Sequence, residues 1–151
     1  MSSMMKYDDS PLGVAVLGST GSIGRQTLDV IAQSEGKFKV VALCADRNDV
    51  ELAKQIERFQ PRFAALRDEK AAARLRSRCG DQVTVGSGDK ALVEAVTLDG
   101  VDIVVVSVVG FAGVQPTIAA LQLGRRVALA NKETLVVAGE LVNRYRIDRT
   151  S

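Results

Sequence analysis

A glycine-rich segment, residues 17–24, constrains the fold of this chain more than any other feature. The segment reads Leu-Gly-Ser-Thr-Gly-Ser-Ile-Gly and follows a continuously apolar run, Gly13–Leu17, that is typical of a strand buried on both faces. After the segment, apolar residues return at helical spacing as far as Ile31. This order predicts a strand, a tight glycine loop and a helix, which together begin a βαβ unit.

The three glycines of the loop predict a phosphate site. Gly18 permits the tight turn, Gly21 lets a phosphate approach the main chain, and Gly24 lets the helix pack closely against the strand. N–H groups at the helix start have no intrahelical partner and lie at the positive end of the helix dipole. Because the spacing is G-x-x-G-x-x-G and not the commoner G-x-G-x-x-G, a purely structural loop is the alternative. The second apolar run, Phe38–Cys44, gives a crossover of βαβ length and favours nucleotide binding.

Strand-like and helix-like segments alternate along the rest of the chain. The predicted strands after the first are Phe38–Cys44, Phe63–Leu66, Val83–Val85, Val101–Val109 and Arg126–Ala130. The predicted helices after the first are Asp49–Phe59, Glu69–Arg78, Asp89–Val96, Pro116–Leu123 and Glu133–Tyr145. This alternation predicts a Rossmann-like, doubly wound α/β fold, with a mainly parallel sheet and helices on both faces. The loops after residues 17, 44, 107 and 130 are then expected to share one rim, at the carboxyl ends of the strands.

The composition excludes several classes of function. The 151 residues are 46% hydrophobic, which is enough for one buried core, and the 20 basic and 18 acidic residues are interspersed with a net charge of +2. We therefore expect no binding to nucleic acid or membranes, and a cytoplasmic location, since no apolar stretch could span a bilayer or serve as a signal peptide. The absence of histidine excludes a Ser-His-Asp triad or a His-rich zinc site within this chain. Cys44 and Cys79 lack C-x-x-C spacing and are predicted to be free thiols.

The turn after the second strand contains two residues with opposed implications for a cofactor. Asp46 follows Gly24 at close to the ~20-residue offset of the acid that contacts the ribose of NAD. Arg47 could instead form charge-assisted hydrogen bonds to the 2′-phosphate of NADP. Spacing alone does not decide between NAD and NADP. A third interpretation is a solvated turn in which the charges of Asp46 and Arg47 pair with each other.

A polar trio, Asn131, Lys132 and Glu133, follows the sixth predicted strand. Its amide, ammonium and carboxylate could hold a polar ligand at the rim. Alternatively, Asn131 caps the last helix, Glu133 complements the helix dipole and Lys132 points to water.

The chain resembles the 1-deoxy-D-xylulose 5-phosphate reductoisomerase family. The resemblance depends mainly on Gly18–Gly24 with the following Thr27–Val30, and on Ala128–Val136. Val40–Leu43, Val109–Gly113 and Pro116–Thr117 also match, and the similarity covers residues 12–142, the amino-terminal cofactor domain of the family. It implies NADPH as cofactor and conversion of 1-deoxy-D-xylulose 5-phosphate to 2-C-methyl-D-erythritol 4-phosphate, on the non-mevalonate route to isoprenoids, by a metal-assisted rearrangement followed by reduction.

The resemblance also implies roles for individual residues. Lys132 would reach the phosphorylated sugar substrate, and no catalytic residue or metal ligand is expected in this chain. Asp46 stands where the family commonly has a small residue, so its carboxylate is expected to turn away from a 2′-phosphate or to pair with Arg47. The implied cofactor contacts are Thr20, Gly21, Ser22 and Ile23 at the diphosphate, Arg47 and Asn48 at the 2′-phosphorylated ribose, and Asn131 and Glu133 nearer the nicotinamide. Asp46 is added as a candidate ribose contact on its spacing from Gly24 alone.

The expected organisation is an NADPH-binding domain at residues 12–143 and a tail of uncertain origin at residues 144–151. The catalytic and carboxy-terminal domains of the family are expected to be absent from this chain, which would then bind cofactor without turning over substrate. The resemblance implies a divalent cation (Mg, Mn or Co) and a homodimer for the full-length enzyme only. The alternatives are the cofactor domain of another NAD(P)-dependent dehydrogenase and a nucleotide-sensing module.

Overall fold

The computed structural model describes residues 10–108 and 110–129, except for the side chain of Phe111. Strands and helices alternate along this part of the chain, as the sequence predicts. The strands are β1 (Leu12–Leu17), β2 (Phe38–Ala45), β3 (Phe63–Leu66), β4 (Thr84–Ser87), β5 (Ile103–Val106) and β6 (Arg126–Leu129). The helices are α1 (Ser22–Ala32), α2 (Asp49–Phe59), α3 (Glu69–Cys79), α4 (Asp89–Thr97) and α5 (Val114–Gln122). The predicted helix Glu133–Tyr145 lies outside the described residues.

The six described strands form one parallel sheet in the order β4-β3-β2-β1-β5-β6. Helices α1, α2 and α3 cover one face, where residues such as Leu28, Leu52 and Leu75 join the core, and α4 and α5 cover the other through residues such as Leu92 and Ala120. The predicted Rossmann-like, doubly wound fold is therefore confirmed. The chain adds β2, β3 and β4 on one side of β1, and then β5 and β6 on its other side. The carboxyl ends of β1 and β5 therefore border the crevice where such sheets bind ligands.

Two strands differ from their predicted bounds by two residues or more within the described chain, and Ala130, the predicted end of β6, lies outside it. β5 begins at Ile103 and not at Val101, because Val101, although fully buried, lies in the turn before the strand and donates its N–H to Leu98 O at 3.4 Å. β5 ends at Val106, and Val109, the predicted end, lies outside the described residues. β4 begins and ends later than Val83–Val85, because pairing with β3 continues through Gly86 to Ser87. β4 lies at the edge of the sheet, where fewer apolar side chains are needed, so apolar patterning marks its bounds poorly.

A buried carboxylate connects α2 to α3. Asp49 is 5% exposed, and its two oxygens accept from Arg74 Nε at 3.3 Å and Arg78 Nε at 3.2 Å. Burial alone would raise the pKa of Asp49, but the hydrogen bonds from Arg78 and Arg74 outweigh it and hold the pKa below its usual value. The ionised form of Asp49 therefore stabilises the packing of these two helices.

We expect Asp49→Asn to reduce the acid sensitivity of folding. Because the folded-state pKa is lowered, the stabilisation is present above the unfolded pKa of about 3.9 and is lost as the pH falls through the folded value. In urea titrations from neutral pH to about pH 3, the free energy of unfolding should decline less steeply for the variant than for the unmodified chain. At neutral pH the variant should be less stable by about 1–2 kcal/mol. Asp29→Asn is the control, since Asp29 pairs with Arg58 on the surface at 3.4 Å. An unchanged acid limb in Asp49→Asn would contradict the role given to this carboxylate.

Candidate functional site

The glycine loop lies at the carboxyl end of β1, against the end of β5. Gly18 has a φ of +84°, and a β-carbon there would come 2.8 Å from Ser107 Oγ. Ser107 Oγ donates to the carbonyl oxygens of Leu17 at 2.7 Å and Gly18 at 3.0 Å, which fixes the turn beside the crevice. Gly18 is therefore required both by its backbone angle and by this close approach.

Gly24 is required by contact between the helix and the loop before it. A β-carbon at Gly24 would overlap the carbonyl oxygen of Gly18 and lie 2.6 Å from the α-carbon of Ser19. The first turn of α1 is thus packed directly onto the backbone of the loop. The sequence predicts that Gly24 lets the helix pack closely against the strand. In the structure, the backbone atoms nearest to Gly24 belong to Gly18 and Ser19 of the loop and not to β1.

Gly21 differs from both of these glycines because nothing in the described protein requires it. Its φ of −77° and ψ of 174° suit any residue, and the nearest atom to an added β-carbon is Gly18 O at 3.8 Å. Gly21 is also exposed. A glycine here leaves open space above the main chain at the start of α1, as an approaching phosphate group needs.

The N-terminus of α1 is left without a protein cap. Gly21 at the N-cap offers no side chain, and the first turn contains no acidic residue. Within the described chain, the N–H groups of Ser22, Ile23 and Gly24 have no acceptor outside the helix. By contrast, Asn48 caps α2 and Asp68 caps α3. Free amides at the positive end of a helix dipole are well suited to bind an anion.

A buried glutamine joins this loop to α2. Gln55 is 5% exposed, and its Nε2 donates to the carbonyl oxygen of Ser19 at 2.9 Å. The Oε1 atom of Gln55 and the Oγ atom of the fully buried Ser19 have no hydrogen-bond partner in the described structure. Sequence reasoning missed Gln55, although a polar residue within the buried stripe of Leu52 and Ile56 is a readable signal.

The turn of Asp46, Arg47 and Asn48 lies beside the glycine loop at the carboxyl end of β2. The N–H groups of Gly18 and Ser19 both donate to Cys44 O, at 2.7 and 2.9 Å, which holds the two loops together. Asn48 Oδ1 accepts from Glu51 N at 3.1 Å and so caps α2. The candidate diphosphate and ribose residues therefore share one rim.

Asp46 pairs with a residue that sequence reasoning did not consider. Of the two arrangements expected for Asp46, turning away from the 2′-phosphate site or pairing with Arg47, the ion pair with Arg47 is not found among the described residues: Asp46 Oδ1 instead lies 3.6 Å from Arg67 Nη1, in the loop after β3. Arg67 Nε also donates to Asp89 Oδ1 at 2.8 Å, and this hydrogen bond raises the pKa of Arg67. Arg47 is exposed and has no ion pair within the described residues, so its guanidinium is available to a ligand.

The predicted contacts of Asn131, Lys132 and Glu133 lie outside the described residues. β6 ends at Leu129, which is paired with Val106 of β5, so β6 ends at the same rim as the glycine loop. Across residues 10–108 and 110–129, no group of three or more His, Cys, Asp or Glu side chains could hold a metal ion. No described helix is long and apolar enough to cross a membrane.

The two cysteines are buried free thiols, as predicted. Burial raises the pKa of Cys44 to about 12, and burial also raises the pKa of Cys79 despite the opposing charge of Arg78. Both thiols are therefore protonated at neutral pH, and neither has the thiolate character that a nucleophile requires.

Comparison with known proteins identifies similar sequences over most of the chain. The family model described as 1-deoxy-D-xylulose 5-phosphate reductoisomerase matches residues 14–139. A protein of that name from Moorella thermoacetica is 49% identical over 130 residues, which cover 85% of this chain and 34% of the relative. One from Symbiobacterium thermophilum is 50% identical and covers 86% of this chain and 35% of the relative. The chain thus spans about a third of the length of the curated relatives that it matches.

Solved structures give the same result. The reductoisomerase of Zymomonas mobilis in complex with NADPH has a TM-score of 0.75 and 38% identity, covering 94% of this chain and 38% of its own. A DOX-P reductoisomerase in complex with NADPH, fosmidomycin and magnesium has a TM-score of 0.74 and 35% identity, covering 91% of this chain and 34% of its own.

Proposed function

Because the chain belongs to the 1-deoxy-D-xylulose 5-phosphate reductoisomerase family, we propose that residues 12–143 form an NADPH-binding domain with the diphosphate at the N-terminus of α1. The observation that carries this proposal is Gly21, which leaves open space above an uncapped helix although no steric or backbone demand of the protein requires a glycine there. The free N–H groups of Ser22 and Ile23 donate to diphosphate oxygens, and the hydroxyls of Thr20 and Ser22 add further donors.

The ribose end of NADPH is held by the turn after β2. Arg47, exposed and without an ion pair in the described residues, binds the 2′-phosphate through charge-assisted hydrogen bonds. The amide nitrogen of Asn48 remains available while its Oδ1 caps α2. Beyond β6, Asn131 and Glu133 contact the cofactor nearer the nicotinamide, and Lys132 reaches the phosphorylated sugar.

The whole protein would convert 1-deoxy-D-xylulose 5-phosphate to 2-C-methyl-D-erythritol 4-phosphate. Bound NADPH supplies the hydride for the reduction step. We assign the divalent cation (Mg, Mn or Co), the catalytic groups and a homodimer interface to the full-length enzyme, because the chain spans about a third of its relatives. We also propose a cytoplasmic location and no nucleic-acid or membrane partner.

Calorimetric titration of the chain with NADPH and NADH tests the proposal. We expect NADPH to bind more tightly, and Arg47→Ala to weaken NADPH by about tenfold or more with little change for NADH, since only NADPH has the 2′-phosphate. Arg58→Ala is the matched control, because Arg58 is an exposed arginine paired with Asp29 away from the rim. Folded chain that gives no heat with either dinucleotide would refute the proposed function.

A further inference from the structure

We infer that Arg67 is a specificity-determining residue of this site, because it holds the Asp46 carboxylate and thereby lets the ribose turn accept a 2′-phosphate. The inference rests on the proposed NADPH-binding function. It adds to that site a residue from the loop after β3, outside the glycine loop and outside the turn of Asp46, Arg47 and Asn48.

The pairing of Arg67 with Asp46 follows from the register of the sheet. Ala45 of β2 is paired with Leu66 of β3, so Asp46 and Arg67 leave the sheet side by side. Main-chain hydrogen bonds from Arg67 N to Ala45 O at 3.1 Å and from Asp68 N to Asp46 O at 3.0 Å fix the two loops. The backbone therefore places the guanidinium beside the carboxylate.

Asp89 supplies a second anchor for the guanidinium. Its Oδ1 accepts from Arg67 Nε at 2.8 Å, while Arg67 Nη1 lies 3.6 Å from Asp46 Oδ1. Asp89 is the first residue of α4 and follows β4, the next strand of the sheet. Arg67 thus bridges two carboxylates from neighbouring loops, and its positive charge partly compensates the carboxylate nearest to the proposed ribose site.

The electrostatic consequence depends on the cofactor. An acid at the end of the second strand ordinarily accepts hydrogen bonds from the ribose hydroxyls of NAD, and it repels the 2′-phosphate of NADP. By pairing with Asp46, Arg67 reduces this repulsion and competes with the ribose hydroxyls for the carboxylate. Because the Arg67 and Asp46 side chains are 38% and 65% exposed, solvent screens the pair, and we expect an effect of about fivefold on cofactor preference.

The test is a double-variant cycle on the chain, with Arg67→Met, Asp46→Asn and the combination, each titrated with NADPH and NADH. Methionine keeps much of the length of the side chain and removes its charge. Arg67→Met should lower the preference for NADPH over NADH by about fivefold, by weakening NADPH and strengthening NADH. In the Asp46→Asn background the same change should alter the preference by less than about twofold, because the carboxylate through which Arg67 acts is gone. Arg67→Lys should keep most of the preference.

Each outcome of the cycle decides the inference. If Arg67→Met affects only the overall stability of the loops, it should change the affinities for NADPH and NADH equally and leave the preference constant. That result would overturn the inference. If Arg67→Met costs the same preference whether Asp46 is present or replaced through Asp46→Asn, Arg67 contacts the 2′-phosphate itself, and the inference is also overturned. If Arg67→Met does not fold, Arg67→Gln, which also removes the charge and keeps a polar side chain, should lower the preference in the same direction.

The inference and the proposed function fail in different ways. Failure of the unmodified chain to bind either dinucleotide would refute the proposed function itself. Unaltered NADPH preference in a folded Arg67→Met protein would refute the role of Arg67 alone.

Discussion

Gly21→Asp is expected to abolish NADPH binding without weakening the fold. Gly21 is the N-cap of α1 in an extended conformation, and the space around its α-carbon accepts a side chain. Aspartate is a favoured N-cap residue, so its carboxylate should bind the free amides of the first turn and stabilise the protein by about 0.5 kcal/mol. The same carboxylate occupies the proposed diphosphate site and repels the ligand, so we expect affinity for NADPH to fall about 100-fold or more.

Urea denaturation and calorimetry on the same preparation measure the two effects. Gly21→Ala is the control for the added β-carbon, since alanine introduces no charge and no capping oxygen. We expect it to fold normally and to weaken NADPH far less than Gly21→Asp does. Retained NADPH affinity in a well-folded Gly21→Asp protein would show that the dinucleotide does not contact the start of α1.

Gly24→Ala is expected to destabilise the fold, although alanine is the better helix former. An added β-carbon would overlap the carbonyl oxygen of Gly18 and approach Ser19 Cα to 2.6 Å, so the backbone of the loop must move. Overpacking of this kind costs about 1–3 kcal/mol, which exceeds the gain of about 1 kcal/mol in helix propensity. Because the displaced atoms belong to the loop itself, NADPH affinity should fall as well.

Comparison of urea midpoints for Gly24→Ala and Gly21→Ala provides the measurement. Both variants add one methyl group to a glycine near the start of α1, and only Gly24→Ala makes it overlap backbone atoms. We expect a lower midpoint for Gly24→Ala alone. A raised midpoint, as helix propensity alone would give, would contradict the packing of α1 onto the loop.

The glycine loop shows why much of the fold could be predicted from the sequence. Gly18 and Gly24 each have a local structural cause, and the apolar run of β1 is buried along its whole length, so pattern and structure agree there. β4 shows where patterning is insufficient. It is an edge strand with polar and partly exposed residues, and its bounds are set by pairing with β3 and not by apolar content.

The side-chain partners within the site could not be predicted from the sequence, because tertiary contacts determine them. Asp46 pairs with Arg67 because β2 and β3 are neighbours in a fixed register, which sequence spacing does not show. Gln55 reaches Ser19 across 36 positions of sequence, and its helix reads as an ordinary amphipathic segment. The roles of Asn131, Lys132 and Glu133 stay predictions, since these residues lie outside the described part of the chain.

In the proposed function, free main-chain amides at the start of α1 bind the diphosphate of NADPH. Amide chemical shifts recorded by ¹⁵N NMR during titration of the chain with NADPH test it most directly. We predict the largest shift changes at residues 20–24, with a second group at residues 46–48 that is weaker with NADH. Saturable binding of NADPH that leaves the amides of Ser22, Ile23 and Gly24 unshifted would contradict the account.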